Sequence, residues 1–141
     1  MLHSLLANAF PYWTAQFIEN STANFFDQTL AALSHIQDIA GGPDKIHFMV
    51  GEAGWPGDCG SDYGNAKAGT INAQTYFSKA ICPALQSGID VFMFEAFDEP
   101  YKSIIKVPLP NNGTTLQIWE MFWGAMDKDR TFKLNLTCPD P

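Results

Sequence analysis

Five glutamates stand in this chain: Glu19, Glu52, Glu95, Glu99 and Glu120. Four of them fall in apolar or aromatic settings. Burial raises the pKa of a carboxyl group and is costly unless the group is paired, so such residues are candidates for acid, base or nucleophile chemistry. The competing explanation for each is a salt bridge or a backbone hydrogen bond, and it weighs most on Glu95 and Glu120. Glu52 ends the apolar run IHFMVGE, and Ala-Gly-Trp-Pro follows at once. Glu95, Asp98 and Glu99 close a second apolar run, IDVFMFEAFDE, and Lys102 is placed to partner Glu99. Paired carboxylates among aromatic side chains suit sugar chemistry. Aromatic rings stack on the apolar faces of pyranoses, and carboxylates supply an acid and a nucleophile.

Other chemistries find less support. His3, His35 and His47 lie before a strand, inside a helix and at a strand start, so no Ser-His-Asp arrangement forms. No H-x-x-x-H or clustered His/Asp pattern supports a metal. There is no G-x-G-x-x-G and no P-loop, and no cofactor is expected. The chain has 141 residues, 8 Lys+Arg against 15 Asp+Glu, and a net charge of -7. That balance excludes a phosphate-neutralising patch and hence a nucleic-acid partner, and it argues against anionic membranes. No apolar run approaches the roughly 20 residues of a membrane span.

The elements that must position the carboxylates repeat three times. Leu5 to Phe10 is a strand candidate that ends in Pro11-Tyr12-Trp13. A helix follows with apolar residues at Phe26, Leu30, Leu33, Ile36 and Ala40, capped by Ser21 or Thr22 and stopped by Gly41-Gly42-Pro43. Ile46 to Glu52 is the second strand. Its helix runs from about Ile71 to Gln86, with Tyr76, Phe77, Ile81 and Leu85 inward and Pro83 as a kink or last turn. Ile89 to Phe97 reads as a strand buried on both faces, and a short helix is expected around Leu116 to Gly124. Strand and helix alternating at about 40 residues imply parallel strands with right-handed crossovers, in an α/β barrel or an open doubly wound sheet. Asn8, Tyr12 and Trp13, then Glu52 and Trp55, then Glu95, Asp98 and Glu99 all fall where strands end, which is where parallel α/β folds bind ligands.

Three sequons, at Asn20, Asn112 and Asn135, favour a secretory route. The start, MLHSLLANAFPYW, has no basic n-region and makes a poor signal peptide, so the true N-terminus is expected further upstream.

The motifs VGEAGWP, FEAFDEPYK and EMFWG, in that order and preceded by ANAFPYW, resemble the fungal members of glycoside hydrolase family 17. These are secreted β-1,3-glucan hydrolases and transglucosylases of the cell wall, with a (β/α)8 TIM barrel. The resemblance covers essentially the whole chain. It implies an α/β fold, one partial barrel domain over residues 1–141 comprising about strands 6 to 8 with their helices, and β-1,3-glucan as partner. By it, Glu52 occupies the nucleophile position. Glu99, Lys102 and Glu120 line and support the site, and Asn8, Phe10, Tyr12, Trp13 and Trp55 line the cleft near the cleaved bond. Position 53 is alanine where the family usually has Thr or Ser. The family's acid/base glutamate, in a G-x-E context at strand four, has no counterpart upstream of Asn8. The same resemblance makes Cys82 and Cys138 neighbours able to pair and leaves Cys59 over. Lone production of such a piece is expected to yield an aggregating or partly molten chain. A non-catalytic glucan-binding protein and a truncated gene product are the alternatives.

Overall fold

The computed structural model describes residues 3–58, 60–102, 105–108, 114–117 and 120–140. Three strands, β1 (His3–Asn8), β2 (Ile46–Ala53) and β3 (Asp90–Met93), form one parallel sheet in the order β1-β2-β3. Helix α1 (Ser21–Ala40) crosses from β1 to β2. A second crossover joins α2 (Thr70–Tyr76), a wide turn at Phe77–Ile81 and α3 (Cys82–Gln86) before β3. Pro83 lacks an N–H and its ring crowds the preceding turn. The helix widens to π geometry just ahead of it and continues to Gln86 instead of stopping.

Several sequence expectations are corrected. Neither Ser21 nor Thr22 caps α1. Both lie inside it, and a 3-10 turn, Ile18–Asn20, feeds the helix directly. Gly41 does end α1, with φ +83°, a left-handed conformation that glycine adopts without a Cβ penalty. The inward stripe of α1 is Ser21, Phe25 and Thr29, with Leu33 and Ile36 partly covered, whereas Leu30 is exposed. In the second crossover Tyr76, Phe77 and Ile81 are buried as expected, but Leu85 is exposed. Strand β3 is not buried on both faces. Among the described residues it pairs with β2 alone, and Phe92 is 56% exposed. The helix expected over Leu116 to Gly124 does not form. Thr114–Gln117 is a strand, β5, antiparallel to β4 (Ile105–Pro108), and Glu120–Gly124 is irregular. Residues 118 and 119, the Asn112-Gly113 part of a sequon and Cys59 lie outside the described residues.

The core is continuous from the sheet to the helices. Val50 and Ala53 of β2 meet Phe25 of α1, Tyr76 and Phe77 of the second crossover, and Trp55 and Trp123. Cys82 and Cys138 form a disulfide that ties the helix to the C-terminal segment across 56 residues. Closing a loop of that length is worth about 4 kcal/mol on chain-entropy grounds.

Candidate active site

Glu52 sits where β2 bulges. β1 and β2 stay in register to Ala7 opposite Val50, and then Asn8 pairs with Glu52. The pairing with β3 skips at the same place, from Val50–Val91 to Ala53–Met93. An extra residue in a strand redirects the side chains that follow, and here it brings Glu52 level with Asn8. Gly51 permits the close approach, since a Cβ there would lie 2.9 Å from Leu6 Cβ and 3.1 Å from Asn8 Oδ1. Asn8 Nδ2 donates to Glu52 Oε2 at 3.0 Å. Among the described residues, Oε1 of Glu52 accepts no hydrogen bond. Gly54, three residues after Gly51, serves a similar purpose. A Cβ would meet the Phe94 carbonyl oxygen at 2.0 Å, so glycine lets the exits of β2 and β3 converge.

That convergence encloses a cavity of about 110 Å³ lined by Phe10, Trp13, Glu52, Phe94, Glu120 and Trp123. Trp13 and Trp123 stack with centroids 5.8 Å apart and planes at 30°, and Phe10 stands edge-on to both Phe94 and Trp123. The sequence-predicted residues Phe10, Trp13, Glu52 and Glu120 thus meet at one cavity, with Asn8 beside Glu52. Tyr12 and Trp55 do not line it. Both are essentially fully buried beneath it. The Tyr12 hydroxyl donates to the Ser61 carbonyl, and Trp55 Nε1 donates to the Lys67 carbonyl at 2.8 Å. Tyr12 stacks edge-on against Trp55 and Trp123, so the two rings form the support under the cavity floor.

Phe94 and Trp123 line the cavity and were not among the residues the sequence singled out. Their signal was present: Phe94 ends the IDVFMF run and Trp123 lies in EMFWG.

A second carboxylate group stands at the end of β3. Lys102 Nζ reaches Glu95 Oε1 and Oε2 at 3.1 and 3.2 Å, pairs with Glu99, and lies 4.9 Å from the Phe94 ring centroid. The Tyr101 hydroxyl donates to Glu99. Burial pushes the Glu95 carboxyl up to about 7, its hydrogen bond to Glu99 adds to this, and Lys102 opposes it. Glu99 is held down at about 2 by hydrogen bonds from Lys102, Tyr101 and Glu95. The two carboxyls therefore hold one proton between them, and their titration belongs to the pair. Asp98 is buried and structural. Its carboxylate pairs with Lys133 Nζ at 2.5 Å and accepts from Gly124 N–H at 3.0 Å, away from the strand-end mouth where its position suggested it. A larger cavity, about 420 Å³, lies beyond Glu99 along Phe97, Tyr101 and Arg130, but Glu52 is not on it.

Among the described residues, no three His, Cys, Asp or Glu side chains gather as a metal site. Among the described residues, no helix is long and apolar enough to cross a membrane.

The chain is similar to known proteins in sequence and in fold. The family model described as glycosyl hydrolases family 17 matches residues 3–138. A glucan 1,3-beta-glucosidase of Arthroderma benhamiae is 40% identical over 134 residues, covering 95% of this chain and 42% of that protein. Its counterpart in Schizosaccharomyces pombe is 41% identical, with 95% and 38% covered. The chain thus spans about two fifths of the length of these relatives. Among solved structures, the family 17 beta-1,3-glucanosyltransferase of Rhizomucor miehei superposes with a TM-score of 0.68 at 26% identity, over 97% of this chain and 44% of that one. CJP38, a beta-1,3-glucanase of Cryptomeria japonica pollen, superposes with a TM-score of 0.69 at 21% identity over 96% and 46%, a likeness of fold alone. These neighbours are TIM barrels, and the small parallel sheet here is a part of such a barrel. From the matching family model and the relatives, the chain belongs to glycosyl hydrolases family 17.

Proposed function

We propose that this chain supplies strands 6 to 8, with their helices, of a retaining β-1,3-glucan hydrolase or transglucosylase, and that Glu52 is the nucleophile. One observation carries the reading. The Glu52 carboxylate, oriented by Asn8, opens into an aromatic-walled cavity at the carboxyl ends of parallel strands. The names of the relatives and a laminaritriose complex of the Rhizomucor miehei enzyme's active-site mutant support β-1,3-glucan as the polymer.

In this reading Glu52 forms a bond to the anomeric carbon as the glycosidic C–O bond breaks. The leaving oxygen takes its proton from a second carboxyl, which retaining geometry places about 5–5.5 Å away. The family resemblance assigns that acid to a barrel segment outside this chain. Water or a sugar hydroxyl then displaces Glu52, giving hydrolysis or transfer from one intermediate. Phe10, Trp13, Phe94 and Trp123 seat the sugar, Glu120 faces it, and Glu99 with Lys102 sets the charge behind the wall. The domain is one partial barrel over residues 1–141. The disulfide and the sequons support a secretory route, and the family resemblance adds a cell-wall location.

The test is laminarin cleavage by a polypeptide carrying the complete barrel and by its Glu52→Gln variant. Loss on the order of 10⁴–10⁶-fold is expected, and retained activity removes Glu52 from this role. A second reading, glucan binding without cleavage by the 141-residue chain alone, is favoured by the aromatic walls together with the two-fifths coverage. Its test is retention of the folded chain on insoluble β-1,3-glucan, and free elution ends it.

A further inference from the structure

We propose that Asn135 is an N-glycosylation site and that the first sugar of its glycan lies on Phe132. The inference is independent of the glucan reading and concerns the opposite kind of contact, a sugar attached to the chain.

The segment Phe132-Lys133-Leu134-Asn135-Leu136-Thr137 carries the sequon Asn-Leu-Thr with an aromatic residue three positions before the asparagine. Asn135, Leu136 and Thr137 are all exposed and lie outside regular structure. The backbone of Asn135 is nevertheless fixed. Its N–H donates to Gln74 Oε1 at 2.7 Å, and its carbonyl accepts from Gln74 Nε2 at 3.0 Å. The side-chain Oδ1 accepts from Thr137 N–H at 2.9 Å. Among the described residues the amide nitrogen Nδ2 makes no hydrogen bond, so it points outward unencumbered. The sequon at Asn20 differs. It leads directly into α1, its Ser21 is buried, and Asn20 Nδ2 is bonded to Gln16 at 3.4 Å.

Two further observations point to a sugar here. An open groove of about 480 Å³ is lined by Phe132, Leu134, Asn135, Leu136 and Thr137, so the acceptor stands on its rim. Phe132 is 63% exposed and Leu136 42%, an apolar seat without a protein occupant among the described residues. A pyranose has one apolar face that an aromatic ring covers, and a glycan on Asn135 delivers such a face to the groove by tether. Cys138, one residue past the sequon, is in a disulfide, which places this segment in an oxidising compartment where the donor is found.

The step balances as a simple transfer. Asn135 Nδ2 attacks the anomeric carbon of an oligosaccharide carried on a polyprenyl pyrophosphate. The N–C bond forms as the C–O bond to pyrophosphate breaks, the pyrophosphate leaves with the electron pair, and one amide proton passes to solvent.

The full chain is made in a secreting fungal host behind a cleavable leader, with a tag that bears a control sequon. Protease-released peptides are treated with N-glycosidase, which removes the glycan and leaves aspartate in place of a glycosylated Asn135, and the mass shift is read. Occupied Asn135 is expected in the wild type, and the Asn135→Gln variant loses one glycan step. Phe132→Ala leaves the sequon intact and separates the seat from the acceptor. Occupancy in this variant is expected to fall about 2–10-fold, or the glycan-conferred rise in Tm, about 2–5 °C, to shrink by half or more. An unmodified Asn135 beside a modified control sequon overturns the site. Equal occupancy with an equal Tm rise in Phe132→Ala overturns the seat.

Discussion

Glu52 and the Glu95–Glu99 pair end neighbouring strands of one sheet, yet they are handled oppositely. Among the described residues Glu52 has one hydrogen-bond partner, the neutral Asn8, and it faces a cavity. Glu95 and Glu99 are clamped by Lys102, with Tyr101 on Glu99 and the Phe94 ring beneath the ammonium. A carboxylate with few partners remains available to attack an electrophile. One that is saturated by a cation and donors has little left to offer a substrate, and its role is to fix geometry and local charge. At Glu52 the bulge brings the carboxylate level with Asn8 of β1, while the loop after β3 folds back to bring Lys102 onto both acids.

The largest expected effect breaks the contrast at its open end. Glu52→Gln removes turnover of the complete enzyme, by the factor given above, while changing the unfolding free energy of the barrel by no more than about 0.5 kcal/mol, because the side chain is exposed and has one neutral partner. Denaturant melts of the two proteins read this directly. A loss of several kcal/mol would make Glu52 a structural residue. The closed end should behave in the reverse way. Lys102→Met keeps the alkyl stem but leaves two carboxyls facing each other, at a cost of about 2 kcal/mol near neutral pH. That figure is reduced from the fully buried case because all three side chains are 16–25% exposed. The cost should lessen under acidic conditions, where Glu95 carries a proton. A pH-independent cost would show that packing on Phe94, and not charge, is what Lys102 provides.

Asn8→Ala gives a smaller effect. It deletes one hydrogen bond to a carboxylate in an exposed setting, so kcat should fall about 10-fold with KM nearly unchanged. An equal loss in KM alone would place Asn8 on the sugar instead of on Glu52.

How much of this was legible in the sequence differs from feature to feature for physical reasons. The parallel order of strand and helix was legible because short apolar runs alternate with segments of helical spacing along the chain. Glu52 was legible because a carboxylate at the end of a β-branched run contradicts its surroundings. Trp55 and Tyr12 were misplaced because an aromatic residue next to a strand end serves as a platform or as core with the same local pattern. Only the turn after each strand decides which, here by burying Trp55 against Lys67 and Tyr12 against Ser61. The β2 bulge left no periodic trace, since one extra residue in a strand is invisible without its neighbours. Gly51 and Gly54 serve close approach to Leu6 and to the Phe94 carbonyl, which no local pattern announces. The helix expected around Leu116 to Gly124 overlaps the end of β5, where the β-branched Thr114 and Thr115 pair across to Pro108 and Val107 and hold the chain extended.

The subtlest effect sharpens the contrast by pH. Glu95 sits near 7 in the folded chain against an ordinary 4.5, so between those values it is protonated when folded and ionised when unfolded. The folded state then binds more protons, and stability falls as pH rises through that window. Glu99 acts oppositely. Held near 2, it contributes stability above 4.5 that is lost as pH falls toward 2. The pair together gives a maximum near 4.5 with a fall on each side. In Glu95→Gln the amide oxygen still faces Lys102 and the amide N–H₂ faces Glu99, but nothing at this position titrates. The fall toward neutral pH should therefore flatten while the acid limb remains. Urea midpoints taken from about pH 3 to about pH 8 measure both limbs. If the neutral limb persists unchanged in Glu95→Gln, the shared proton at the end of β3 is not what tunes this fold.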